Sequence, residues 1–311
     1  MFLSDSRRKL GVCGPKREGE NSLISGNRSM CIWVIRARSL VFCGANGFLA
    51  MKIAVENGSF GYGKTPILFD IGLAVRENKV LTILGPNGVG KTTLLKCMMG
   101  FLKWKTGMTL LDGRPMKEYS HREIWSKVSY VPQAKRNPFA YSILDTVVMG
   151  LNAEAGALSC PSHADYERAW NQLEWMGIAD IASRNCNEVS GRQLQMALIA
   201  RALVSEPSVL VLDEPESNLD MRNQLRVIEA IERIARQKST TCIINTHFPD
   251  HALMVSDDTL FLGKGGTRLF GPTADVVNEE NIRAYYQVDA RVVDVSVEGR
   301  RMQTVFPFAL A

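Results

Sequence analysis

One octapeptide limits what this chain can fold into more than any other feature. Gly85-Pro86-Asn87-Gly88-Val89-Gly90-Lys91-Thr92 fits the pattern G-x-x-x-x-G-K-[ST]. It follows the apolar run Val80-Leu81-Thr82-Ile83-Leu84 and precedes a helical stretch read over Thr92 to Met99. Glycines at this spacing let successive backbone N–H groups converge on phosphate oxygens, and the start of a helix adds positive potential there. Strand, loop and helix in this order open a doubly wound α/β core. Lys91 is then the expected counter-charge for the β- and γ-phosphates of a nucleotide, and the Thr92 hydroxyl an expected Mg²⁺ ligand.

A second constellation narrows the chemistry. Val209-Leu210-Val211-Leu212-Asp213-Glu214 reads as a buried strand ending in two adjacent carboxylates. Open α/β sheets bind ligands beyond the C-terminal ends of their strands. Asp213 is therefore expected to hold Mg²⁺ through water, and Glu214 to act as general base on an attacking water. Adjacent acids after a strand are otherwise an ordinary surface turn; the upstream phosphate loop gives these two their meaning.

Around these motifs the pattern divides into segments. Strands are expected near Lys52 to Glu56 and Ile67 to Val75, joined by the turn Gly61-Tyr62-Gly63-Lys64, as a small antiparallel sheet. Between about residues 134 and 206 the pattern turns helical, with amphipathic segments near Ile143 to Leu151, Asp165 to Met176 and Gln193 to Val204. The α/β alternation resumes with Val209 to Leu212, a helix from Arg222 to Arg236, the strand Thr241 to Asn245, a short helix after His247, and Thr259 to Leu262.

Charge argues against nucleic acid as a partner. The net charge is +5, but residues 1–50 hold eight Arg and Lys against three acids. Removing them from the chain's 37 basic and 32 acidic residues leaves 29 of each, so the remainder is neutral. Two readings of this basic leader stand: a functional or targeting extension, or sequence upstream of a start at Met51. The seven cysteines lack C-x-x-C spacing, which argues against a disulfide framework or a zinc site. The most apolar stretch, Cys31 to Ala50, is interrupted by Arg36 and Arg38, so no spanning helix is expected.

Between the two nucleotide motifs, Val189-Ser190-Gly191-Arg192-Gln193 resembles the Leu-Ser-Gly-Gly-Gln signature of the ABC family. Other elements fall in that family's order: Tyr62 before the phosphate loop, Gln133 after the strand Val128 to Val131, Ser217-Asn218-Leu219-Asp220 after the acid pair, and His247 after Thr241 to Asn245. The resemblance covers about Lys52 to Asp289. It implies a P-loop NTPase (RecA-like) α/β core with an antiparallel β subdomain and an inserted α-helical subdomain over residues 51–289, leaving 290–311 as a C-terminal tail.

The resemblance also assigns roles. Tyr62 would stack on adenine. Residues Gly85 to Thr92, with Thr93, would cradle the phosphates. Gln133 would sense the γ-phosphate and Mg²⁺, and His247 would orient the water. Ser190, Gly191, Gln193 and Asp220 would contact nucleotide or phosphate loop across a homodimer. The partners implied are membrane permease subunits and, indirectly, a substrate-binding protein, with the chain peripheral on the cytoplasmic face.

Residues 138–150, from Pro138-Phe139-Ala140 to Gly150, and Tyr285-Tyr286-Gln287-Val288-Asp289 resemble importers of metal chelates: iron-siderophore, haem, cobalamin, or in some cases molybdate and tungstate. Arg192 departs from the family's second glycine. It is expected either to point away with activity retained, or to weaken closure and leave an ATP-binding subunit of low turnover. The rival class, a soluble ABC ATPase acting on DNA, would place a long coiled coil between phosphate loop and signature, and none lies there.

Overall fold

A computed structural model describes residues 51–133, 141–153 and 160–311. The leader, residues 1–50, and Pro138-Phe139-Ala140 of the importer-like stretch lie outside the described residues.

Strands β1 (Met51–Tyr62) and β2 (Thr65–Arg76) form a long hairpin. They exceed the expected segments because Gly61 and Tyr62 belong to the strand, paired with Pro66 and Thr65, and the turn is Gly63 and Lys64 alone. Register shifts between Val55 and Gly61 absorb the residues that read as a break. Asn57 sits there at φ 48°, as an irregularity that bends a strand without ending it.

Strand β3 (Val80–Leu84) leads through the glycine loop into α1 (Lys91–Met98). Strands β4 (Thr106–Leu111) and β5 (Arg114–Pro115) return to the hairpin and complete an antiparallel sheet in the order β2-β1-β4-β5. Helix α2 (His121–Lys127) then feeds β6 (Val128–Val131).

The expected helical insertion contains α3 (Ile143–Val148), α4 (His163–Met176) and α5 (Gly191–Leu203). Each starts where a serine, Ser142, Ser162 or Ser190, accepts a hydrogen bond from the backbone N–H three residues on. That contact satisfies a donor the helix cannot satisfy itself.

The core resumes with β7 (Val209–Asp213), α6 (Met221–Gln237), β8 (Thr241–Asn245), α7 (Pro249–Val255), β9 (Asp258–Leu262) and β10 (Arg268–Pro272). The central sheet runs β10-β9-β3-β8-β7-β6, parallel except for the edge strand β10. Its inner strands are buried on both faces, which is why they read as continuous apolar runs. Leu210 and Leu212 pack on one side with Val227, Ile228, Ile231 and Ile234 of α6. Val209 and Val211 point the other way, toward Leu94, Leu95 and Met98 of α1. Two core layers thus clamp the strand that carries Asp213, fixing its carboxylate at the sheet's C-terminal edge.

Helices α8 (Thr273–Val276) and α9 (Glu279–Tyr286) follow. Residues 290–311, expected as a tail, instead belong to a hairpin of β11 (Val288–Val297) and β12 (Arg300–Leu310). The β-branched run from Arg291 to Val297 was the available signal. Asp250 of α7 ties it down, its Oδ1 accepting from Thr304 Oγ1 at 2.8 Å and from Val305 N at 2.7 Å.

Candidate nucleotide-binding site

The glycine loop is shaped by close backbone approaches. Gly85 has φ 148°, and a Cβ there would lie 2.1 Å from the Leu262 carbonyl oxygen. Gly90 caps α1 at φ 104°, and a Cβ there would meet Ile67 Cγ2 at 2.6 Å. Both positions thus exclude a side chain on space as well as dihedral. The loop and the start of α1 border an open pocket of about 210 Å³ lined by Ile67, Asn87, Gly88, Gly90, Lys91, Thr92, Thr93 and Glu214. Val89 is turned into the apolar cluster beneath the loop and is not among the residues lining the pocket.

Lys91 is only 5% exposed, and its Nζ donates to the Gly85 and Pro86 carbonyls at 2.8 and 3.2 Å. Burial pushes its pKa below the ordinary lysine value, against the opposing pull of Glu214, Asp213 and Glu216. The ammonium is folded back over its own loop, beside the N-terminus of α1.

Asp213 is held by three donors from three elements. Its Oδ1 accepts from Thr92 Oγ1 at 3.1 Å and from Asn245 Nδ2 at 2.5 Å, and its Oδ2 accepts from Tyr130 OH at 3.0 Å. Burial first, and then the Asp213 charge, push the Tyr130 hydroxyl well above the usual tyrosine range, so it remains a donor. Sequence reasoning missed Tyr130 and Asn245. Asn245 is the β8 partner of Asp213 and Tyr130 lies on the neighbouring strand opposite Val211, but a polar residue at either place gives no sign of its partner.

Glu214 follows at φ 48°, a left-handed conformation uncommon outside glycine and costly for a side chain of this kind. Its N–H donates to Asn245 O at 2.9 Å, and Ser217 Oγ donates to its carbonyl at 2.9 Å. Held so, its side chain lines the pocket. Gln133 Nε2 donates to Ser217 Oγ at 2.8 Å, and His247 Nδ1 stands 4.0 Å from Glu214 Oε1. Tyr286, read from sequence only as part of an importer-like tail, bridges loop and histidine. Its hydroxyl accepts from Gly85 N at 3.1 Å and donates to His247 O at 3.3 Å.

The structure therefore brings Lys91, Thr92, Gln133, Asp213, Glu214 and His247 to one pocket region. Tyr62 is half exposed on β1, edge-on to Phe60 at 5.1 Å. Ser190, Gly191, Gln193 and Asp220 are not among the residues lining the pocket. Ser190 and Gln193 close a capping box on α5, through Gln193 N to Ser190 Oγ at 3.3 Å and Ser190 N to Gln193 Oε1 at 3.0 Å. Asp220 caps α6, accepting from Asn223 N at 2.9 Å.

The donor set fits a triphosphate with Mg²⁺. It offers an ammonium and helix-start N–H groups to phosphate oxygens, and a hydroxyl and a carboxylate as hard oxygen ligands to the ion. No cluster of three or more His, Cys, Asp or Glu is placed to hold a metal among the described residues. An ion bound by Thr92 and Asp213 would complete its shell with phosphate oxygens and water, as Mg²⁺ commonly does.

The chain is similar to known proteins in sequence and in fold. A family model described as ABC transporter matches residues 68–217. An uncharacterized ABC transporter ATP-binding protein of Methanocaldococcus jannaschii is 38% identical over 245 residues, 79% of this chain and 95% of the relative. A molybdate import ATP-binding protein of Haemophilus influenzae is 32% identical, over 76% of this chain and 88% of its own length. A probable iron chelatin transport ATP-binding protein of Helicobacter pylori is 34% identical, over 68% and 86%. Among solved structures, a chain of a metal-chelate type ABC transporter in an inward-facing conformation superposes with a TM-score of 0.75 at 29% identity, covering 83% of this chain and 98% of that one. Among the described residues no helix is long and apolar enough to cross a membrane.

Proposed function

The chain belongs to the ABC transporter family as an ATP-binding subunit, and from that premise we propose that it hydrolyses ATP in a homodimer that drives a membrane permease importing a metal complex. The observation that carries the hydrolytic reading is the Glu214 carboxylate, which lines the same pocket as Lys91 and Thr92.

Lys91 pairs with the β- and γ-phosphates, the N–H groups from Gly88 to Thr93 cradle them, and Tyr62 stacks on adenine. Thr92 and Asp213, with Gln133, would hold Mg²⁺, which would supply Lewis-acid chemistry there. Glu214 accepts a proton from water as the water oxygen bonds to the γ-phosphorus. The bond from that phosphorus to the β–γ bridging oxygen breaks, and ADP leaves with the electron pair. His247, close to Glu214, orients the water. The Ser190 turn of a second copy, with its Gly191, Gln193 and Asp220, closes over the γ-phosphate, where the N-terminus of α5 favours negative charge.

Closure of two copies would be transmitted to the permease by the helical subdomain. The names of the iron chelatin and molybdate relatives, and of the metal-chelate structural neighbour, support a metal complex or related oxyanion as cargo. An iron-siderophore, haem or cobalamin is our preferred class. The chain works on the cytoplasmic face, beneath its permease.

Arg192 favours a second reading, an ATP-binding subunit with weak turnover. Steady-state phosphate release by the wild-type and Glu214→Gln proteins separates the two. Hydrolysis lost by about 10²–10⁴-fold in the variant is expected for a general base. A wild-type rate no higher than that of the variant overturns hydrolysis in favour of ATP binding alone.

A further inference from the structure

Behind the pocket lies a buried polar group that the scheme above does not use. Glu216, in the turn between β7 and α6, has no exposed surface. Its Oε1 accepts a short hydrogen bond from Thr246 Oγ1 and lies 3.4 Å from His251 Nδ1 of α7. Its Oε2 and the His251 Nδ1 have no hydrogen-bond partner among the described residues. Such a group is costly to desolvate, and an apolar side chain of similar size would fill the space without that penalty. What Glu216 adds is directional: an acceptor aimed at Thr246.

Thr246 carries that direction to the site. Its hydroxyl donates to Glu216 and accepts from Phe248 N at 3.1 Å, so it ties down the residues on both sides of His247. Its N–H is anchored on Ile83 O of β3 at 3.1 Å. The Phe248 ring then lies between the two histidines, with centroids 4.0 Å from His247 and 4.9 Å from His251. Glu216 and Glu214 leave the same strand end, so this bracket joins the turn that carries the base to the turn that carries the imidazole.

We infer that Glu216 is a positioning residue for His247, fixing its backbone through the Thr246 hydroxyl so that the imidazole stands beside Glu214. The inference rests on the hydrolytic reading. It predicts a larger effect on turnover than on nucleotide binding, because among the described residues Lys91, the glycine loop and Asp213 make no hydrogen bond to Glu216, Thr246 or His251, and the Glu216 charge reaches Lys91 only through space.

The test compares Glu216→Leu with Glu216→Gln, which keeps an acceptor for Thr246. Two readouts serve: kcat and KM for Mg·ATP, and the imidazole NMR signals of the chain's four histidines, with His247 assigned by substitution. Glu216→Leu is expected to lower kcat about tenfold or more with KM within about threefold, and to displace the His247 signal. Glu216→Gln is expected to recover most of the rate and the wild-type signal position. A Glu216→Leu protein with wild-type kcat and an unmoved His247 signal overturns the inference, as does a Gln variant no better than Leu. If Glu216→Leu does not fold, Thr246→Val removes the bridging hydroxyl alone and is read in the same way. If the wild-type protein proves inactive, hydrolysis has failed and the His247 signal still decides the positioning.

Discussion

Thr92 and Asp213, 121 residues apart in sequence, meet behind the phosphate pocket, the Thr92 hydroxyl donating to Asp213 Oδ1 at 3.1 Å. Hydroxyl and carboxylate are thus already paired at the spot where an ion bridging phosphates would sit. Asn in place of Asp213 keeps a carbonyl acceptor but loses the charge. Asp213→Asn is expected to need at least about tenfold more Mg²⁺ for half-maximal ATPase activity, and chelating Mg²⁺ to abolish hydrolysis in the wild-type protein. Magnesium titrations of phosphate release check both.

Arg192 sits in the first turn of α5, next to the capping box but not part of it. It is partly exposed and makes no ion pair with another described residue. A cation at a helix N-terminus is mildly unfavourable, worth a few tenths to about 1 kcal/mol. Arg192→Gly is accordingly expected to change kcat by no more than about threefold, and steady-state ATPase measures it. A rise of a hundredfold would instead identify Arg192 as the brake of a weak-turnover subunit.

Acid sensitivity should trace in part to Asp112. This residue, at φ 50°, accepts from Lys52 at 2.7 Å and Lys127 at 2.9 Å. Burial pushes its carboxyl up, but hydrogen bonds and charge from the two lysines pull it further down, to a net value below the ordinary one. With the folded pKa below the unfolded one, the stabilisation is complete above the unfolded value near 3.9 and is lost as pH falls through the folded value. Asn tolerates the left-handed backbone, so Asp112→Asn should cost about 1 kcal/mol at pH 7. In urea denaturation the gap between wild-type and variant is expected to shrink at pH 3.

Much of this was legible because buried parallel strands and phosphate loops write themselves locally. Val80–Leu84, Val209–Asp213 and Thr241–Asn245 must be apolar on both faces, and Gly85 and Gly90 are dictated by contacts a few ångströms away. What sequence concealed is pairing between distant residues. Asn245 gains its role from register with Asp213, Tyr130 from lying on the strand beside it, and Tyr286 from the approach of α9 to the loop. Strand β1 was cut short because its bulged stretch imitates a turn, and the C-terminal hairpin was missed because its support comes from α7 and α9, distant in sequence or set by packing.

The central claim is that ATP is clamped between the Lys91 loop of one copy and the Ser190 turn of another. Sedimentation of the Glu214→Gln protein, with and without saturating Mg·ATP, tests it most directly. A 34.5 kDa species that doubles in mass when ATP is added, and fails to do so when Ser190→Arg is also introduced, is the predicted result. A protein that binds ATP and stays monomeric at every concentration would contradict the account.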